Sequence, residues 1–204
     1  MLSIFTGDVT MMLGQHSWRM TSGFPEELEF GAYIGWQEKF TLPPSVSSTL
    51  IETDWRSWFE SILLSLIEQT SIDYEGHVQK VRQLYDPPTF DALSNYELKE
   101  RCLSLWPNFQ RYWLHFDGEK GRATKRLREQ MSIIRPDQLI ASVVKKRRRK
   151  QTHPFSLSVN FVIWPEDYRR EIHNNVIVLG LQYLETKNSE ALSHILIESI
   201  LKHV

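Results

Sequence analysis

The chain has 204 residues, 41% of them hydrophobic, and a formal net charge of -1 at pH 7, which is enough apolar material for a buried core. Its single cysteine, Cys102, excludes an intramolecular disulfide and leaves a thiolate zinc site without partners, so a reducing interior is the expected compartment. No apolar run approaches the roughly 20 residues that span a bilayer, and Met1 to Gly14 lacks the cationic start of a secretory signal. The expectation is therefore a cytoplasmic protein, or a nuclear one if the host is eukaryotic.

Residues 1–50 read as rich in strand and loop. Leu2 to Met12 suits a strand or a hairpin broken at Gly7 and Asp8. Leu28, Phe30, Ala32, Ile34 and Trp36 alternate with Glu29, Gly31, Tyr33 and Gly35, which predicts a second strand weakened by its glycines. The Pro43–Pro44 loop then leads to Thr53 and Asp54, which can cap a helix. In that helix Trp55, Trp58, Phe59, Ile62, Leu63, Leu66 and Ile67 fall on one face.

Residues 51–150 as a whole read as helical. Further helices are expected over Asp73–Leu84, Tyr96–Leu105, Asn108–Phe116, Ala123–Met131 and Pro136 to about Lys150. Pro107, Pro136 and Pro165 each suit a first helical position, where no N–H is needed. In residues 155–204, Phe155, Leu157, Val159, Phe161 and Ile163 alternate with Ser156, Ser158 and Asn160, the pattern of a half-buried strand. Pro165–Leu184 and Ser189–His203 then read as a helical hairpin turning at Asn188 and Ser189. The fold expected is a single α+β domain over 1–204, predominantly helical, with a small antiparallel sheet and a C-terminal helical hairpin.

Charge is distributed unevenly along this frame. Residues 1–109 sum to -8, residues 110–150 to +9 and residues 151–204 to -2. The centre of the positive stretch is a run of six cations, Lys145, Lys146, Arg147, Arg148, Arg149 and Lys150, preceded by Lys120, Arg122, Lys125, Arg126 and Arg128. Such concentrated positive charge attracts polyanions, and phosphate neutralisation by Lys and Arg supplies most non-specific nucleic-acid affinity. The same run also fits a solvated loop, an import signal or a docking surface for an acidic protein. Trp106, Phe109, Tyr112, Trp113 and Phe116 recur at helical spacing beside it. That periodicity describes a core face first, with Trp113 the one residue offered as a base-stacking partner.

Chemistry is sparse by comparison. Common nucleotide, hydrolase and zinc-protease signatures are missing from the sequence. Gly118 to Arg122 lacks phosphate-loop spacing. Cys102 sits among leucines as a small hydrophobe, and His194, Glu198 and Lys202 suit a surface charge pair better than a metal. His115, Asp117, Glu119 and Lys120 form the one polar cluster a metal-dependent hydrolase or nuclease would need, at a glycine-flanked turn that holds ligands poorly. No cofactor, metal ligand or catalytic residue is assigned.

The function expected is that of a non-enzymatic accessory or adaptor protein whose segment 120–150 docks on an anionic partner, nucleic acid ahead of an acidic protein. The alternative is a protein–protein module, such as an inhibitor, immunity factor or complex subunit, using the acidic N-terminal half and its aromatic surface. The metal-dependent hydrolase or nuclease comes third.

Overall fold

A computed structural model describes residues 7–13, 16–40, 49–68, 85–115, 117–136, 138–139, 141, 143, 155–164, 167–172 and 175–202. The described elements are β1 (Gly7–Leu13), β2 (His16–Gly23), α1 (Glu26–Gln37), α2 (Leu50–Glu68), α3 (Tyr96–Phe109), α4 (Glu119–Ile134), β3 (Phe155–Val162), β4 (Arg169–Ile172), β5 (Val176–Gly180) and α5 (Ser189–Leu201). The protein is α+β with helices predominant, as its sequence patterns imply. The chain gathers into two compact units interleaved in sequence. A helical unit takes residues 25–120 and 162–164, and a sheet unit takes the remainder.

In the helical unit the expected strand over Leu28–Trp36 is instead the helix α1. The alternation that suggests a strand is misleading, because its off-face positions are buried too: Glu29, Gly31, Tyr33 and Gly35 along with Leu28, Phe30, Ala32 and Ile34. A segment apolar all round is a buried helix. Pro25 precedes it, and Glu26, Glu27 and Glu29 occupy the first turn, where the helix dipole favours negative charge.

The glycines have a packing role here. A Cβ on Gly35 would lie 2.3 Å from the Trp55 ring and one on Gly31 2.8 Å from Phe59, so α2 lays two aromatic rings directly on the α1 backbone. Trp55 Nε1 donates to the Gly31 carbonyl at 2.9 Å inside this contact. Around it Phe30 meets Phe90, Trp106 and Phe109 with centroids 5.0 to 5.2 Å apart, giving the unit an aromatic core.

Pro107 does not start a new helix, as its sequence position implies, but lies inside α3. Leu98, Cys102, Trp106, Phe109 and Trp113 are all buried, so one continuous apolar face carries the helix past the proline. After α3 the backbone widens into a π-turn, Gln110–Leu114, in which the His115 N–H donates to the Gln110 carbonyl at 2.9 Å. The helix expected over Asp73–Leu84 lies outside the described residues.

The sheet unit contains a five-stranded sheet in the order β1-β2-β3-β5-β4. Of the two readings of Leu2–Met12, the strand holds over the described residues: Gly7 and Asp8 belong to β1, which pairs antiparallel with β2 from Gly7 opposite Ser22 to Leu13 opposite His16, and residues 1–6 lie outside the described ones. β2 pairs parallel with β3, from Trp18 opposite Phe155 to Gly23 opposite Asn160, so the sheet is mixed where an antiparallel one was expected. Parallel neighbours need a long crossover, and here residues 24–154, most of the helical unit included, provide it.

β3 forms where alternation placed it, yet Ser158 and Asn160 are buried as well as Leu157, Val159 and Phe161. A central strand is covered on both faces. Asn160 Nδ2 donates to Ser158 Oγ at 3.2 Å, which pairs part of this buried polarity locally.

The helix expected over Pro165–Leu184, and with it the helical hairpin, is replaced by the antiparallel pair β4 and β5, with Ile172 opposite Val176. Val176, Ile177, Val178 and Leu179 are all buried. An apolar run of that length, rich in β-branched residues, suits a strand enclosed on both faces. α5 follows from Ser189, as the sequence indicates. Gln130 of α4 ties this end together: its Nε2 donates to the Leu184 carbonyl at 3.3 Å and its Oε1 accepts from Ser189 Oγ at 2.7 Å.

Candidate nucleic-acid interface

α4 builds the basic surface from simple periodicity. Ala123, Leu127, Gln130 and Ile134 are buried and recur every three or four residues, which fixes one side of the helix inward. At about 100° per residue, Lys125 and Arg128 fall on the other side, Arg122 at its edge and Arg126 beside the buried stripe; Arg122, Lys125 and Arg128 are exposed, and Arg126 is half-buried. One acid interrupts the face, since Glu129 lies 3.9 Å from Lys125 as an exposed i,i+4 pair. Such a pair contributes little and is screened by salt. Ile133, 57% exposed, shares the surface.

Beyond α4 the Arg135 backbone turns left-handed (φ 50°), and Pro136, Gln138, Leu139, Ala141 and Val143 are again helical with Val143 buried. The run Lys145, Lys146, Arg147, Arg148, Arg149 and Lys150 lies outside the described residues.

Two of the expected contacts sit elsewhere. Trp113 is fully buried at the end of the aromatic core, so its ring faces are closed to a stacking base. Tyr112 beside it is partly exposed and stacks on Tyr33 with centroids 5.9 Å apart. The helical spacing of Trp106, Phe109 and Trp113 marks core residues, and Trp55 and Trp58 are buried likewise. The aromatic surface of the alternative reading is thus largely an interior.

Lys120, at the start of α4, is half-buried, and its charge acts on Glu26, Glu27 and Glu29 at the start of α1. Burial raises the pKa of all three carboxyls, Glu29 furthest, and Lys120 partly offsets it. Glu29 is fully buried; its Oε2 accepts from the Ile163 N–H at 3.2 Å, while its Oε1 has no hydrogen-bond partner. Tyr85 O–H donates to Glu26 at 3.4 Å, and burial raises the phenol's pKa well above its ordinary value. Sequence reasoning misses this group because the alternation over Leu28–Trp36 predicts a strand there. Three glutamates within four residues just after a proline were the signal for a helix start.

His115 and Asp117 are exposed, joined by the Asp117 N–H donating to His115 Nδ1 at 3.4 Å. Among the described residues no three His, Cys, Asp or Glu side chains gather as a metal site would require. Cys102 is buried, which pushes its thiol up to about 12 and suppresses the thiolate a nucleophile needs. Glu198 accepts from Arg169 at 2.8 Å and lies 3.5 Å from His194. Lys202, its expected partner, bonds Glu171 instead.

No described helix is long and apolar enough to cross a membrane. No family model matches the chain, and no curated protein or solved structure is significantly similar to it.

Proposed function

We propose that this is a non-enzymatic accessory protein that docks on nucleic acid through segment 120–150, in the cytoplasm, or in the nucleus of a eukaryotic host. The observation that supports it is the arrangement of α4, where Arg122, Lys125 and Arg128 are exposed on the side opposite a buried face. Arg126 and the run Lys145, Lys146, Arg147, Arg148, Arg149 and Lys150 extend the same charge in sequence. Phosphates are the partners such a helix suits, since Lys and Arg bind them without reading base identity and affinity comes from counterion release. Lys120 contributes to the stability of the helical unit, and Trp113 to its core.

A titration of duplex and single-stranded oligonucleotides at several salt concentrations tests the reading. Affinity should fall steeply with salt, and replacing Arg122, Lys125 and Arg128 together by alanine should flatten the logarithmic slope by about 2 to 3. Binding that ignores salt, or a slope unchanged in the triple variant, would overturn it.

A further inference from the structure

The division into two units sorts the charge of the chain. The helical unit holds 16 acidic and 8 basic residues, a net -8, whereas the sheet unit holds 9 and 16, a net +7. We infer that a second copy of this chain is a partner, the basic face of α4 on one molecule docking on the exposed side of α3 on another.

The α3 side offers Glu97 and Glu100, both exposed and one helical turn apart, next to Tyr96, which is 75% exposed. The cations nearest them in sequence are already engaged. Lys99 bonds Asp91 at 2.5 Å, and Arg101 lies 3.9 Å from Glu38. On α4, Arg122, Lys125 and Arg128 recur every third residue, and Ile133 is exposed further along the helix. Each surface therefore sets a dominant sign of charge, with Glu129 on α4 and Arg101 on α3 as the exceptions, beside one large exposed side chain. Tyrosine, moreover, is a residue type that anchors interfaces well.

Complementary potentials of this kind steer association and act only over about 10 Å at moderate salt. A two-helix contact is also small beside the roughly 1,200–2,000 Å² of a stable interface. The association should accordingly be weak and reversible. Because nucleic acid would claim the same α4 face, it should dissolve the assembly.

Sedimentation velocity of the full chain at about 50 mM and about 500 mM salt reads this directly. The mass should exceed one chain at low salt and return to it at high salt, with roughly a tenfold change in dissociation constant. The decisive arm is a charge swap. The variant Arg122→Glu/Arg128→Glu and the variant Glu97→Lys/Glu100→Lys should each stay monomeric alone and form a mixed assembly when combined, which misfolded proteins would not do.

Wild-type monomers at low salt, an assembly indifferent to salt, or a mixture that remains monomeric would each overturn the inference. The oligonucleotide titration separates it from the proposed function. Glu97→Lys/Glu100→Lys should keep salt-dependent nucleic-acid binding while losing self-association, so either can fail without the other.

Discussion

The helical unit is acidic and packed with aromatic rings, whereas the sheet unit is basic and packed with aliphatic side chains. In the first, Phe30, Trp55, Phe59, Phe90, Trp106, Phe109 and Trp113 occupy the interior. In the second, Leu157, Val159, Val176, Ile177, Val178, Leu179, Leu192 and Leu196 do so. The contrast teaches how each unit reaches close packing. Rings fill large irregular spaces between helices, but they demand flat backbone to rest on, which Gly31 and Gly35 supply. β-branched chains suit a pleated surface and need no such accommodation.

The largest effect should come from breaking the aromatic core. Trp55→Ala removes a ring that is fully buried, stacked on Phe59 with centroids 5.4 Å apart and hydrogen-bonded to Gly31. Chemical denaturation followed by near-ultraviolet circular dichroism should show a loss of about 3–5 kcal/mol. Gly35→Ala sharpens the point, since one methyl meeting the same ring should cost about 1–3 kcal/mol by overpacking.

The matching break in the sheet unit is smaller. Gln130→Ala leaves the Leu184 carbonyl and Ser189 hydroxyl without their buried partner, and about 1–3 kcal/mol should be lost in the same assay.

The smallest effect is one of pH and belongs to the helical unit alone. The folded-state pKa of Glu29 is raised by burial, so the native state binds more protons than the unfolded chain above the ordinary carboxylate range. Stability from this group is fully present below that range and falls as pH rises toward the raised value. Glu29→Gln mimics the protonated form, and its melting temperature should vary less with pH than that of the wild type. Lys120→Met should act the other way, steepening the pH dependence by removing the charge that offsets burial at Glu26, Glu27 and Glu29.

Legibility in the sequence followed the strength of each period. α2, α4 and β3 announce themselves because their apolar and polar positions separate cleanly. α1 and β5 do not, since a segment buried on every side has no polar phase to reveal whether its repeat is 2 or 3.6 residues. Pro107 signalled a boundary that the apolar face of α3 overrides. The parallel pairing of β2 with β3 is non-local, and no short window of sequence contains it.

For the candidate interface, the cations of α4 were visible as composition, and their sidedness followed from Ala123 and Leu127. The influence of Lys120 on Glu26, Glu27 and Glu29 is electrostatic and joins residues roughly ninety apart in the chain. That separation is invisible until the fold is known.

The insertion of the helical unit between β2 and β3 also sets an order of events during synthesis. The first hairpin leaves the ribosome long before its parallel neighbour, and a two-stranded ribbon is marginal in water by itself. The ring-packed helices, whose partners are closer along the chain, can mature meanwhile. Completion of the sheet therefore waits until β3, β4 and β5, residues 155–180, have been synthesised.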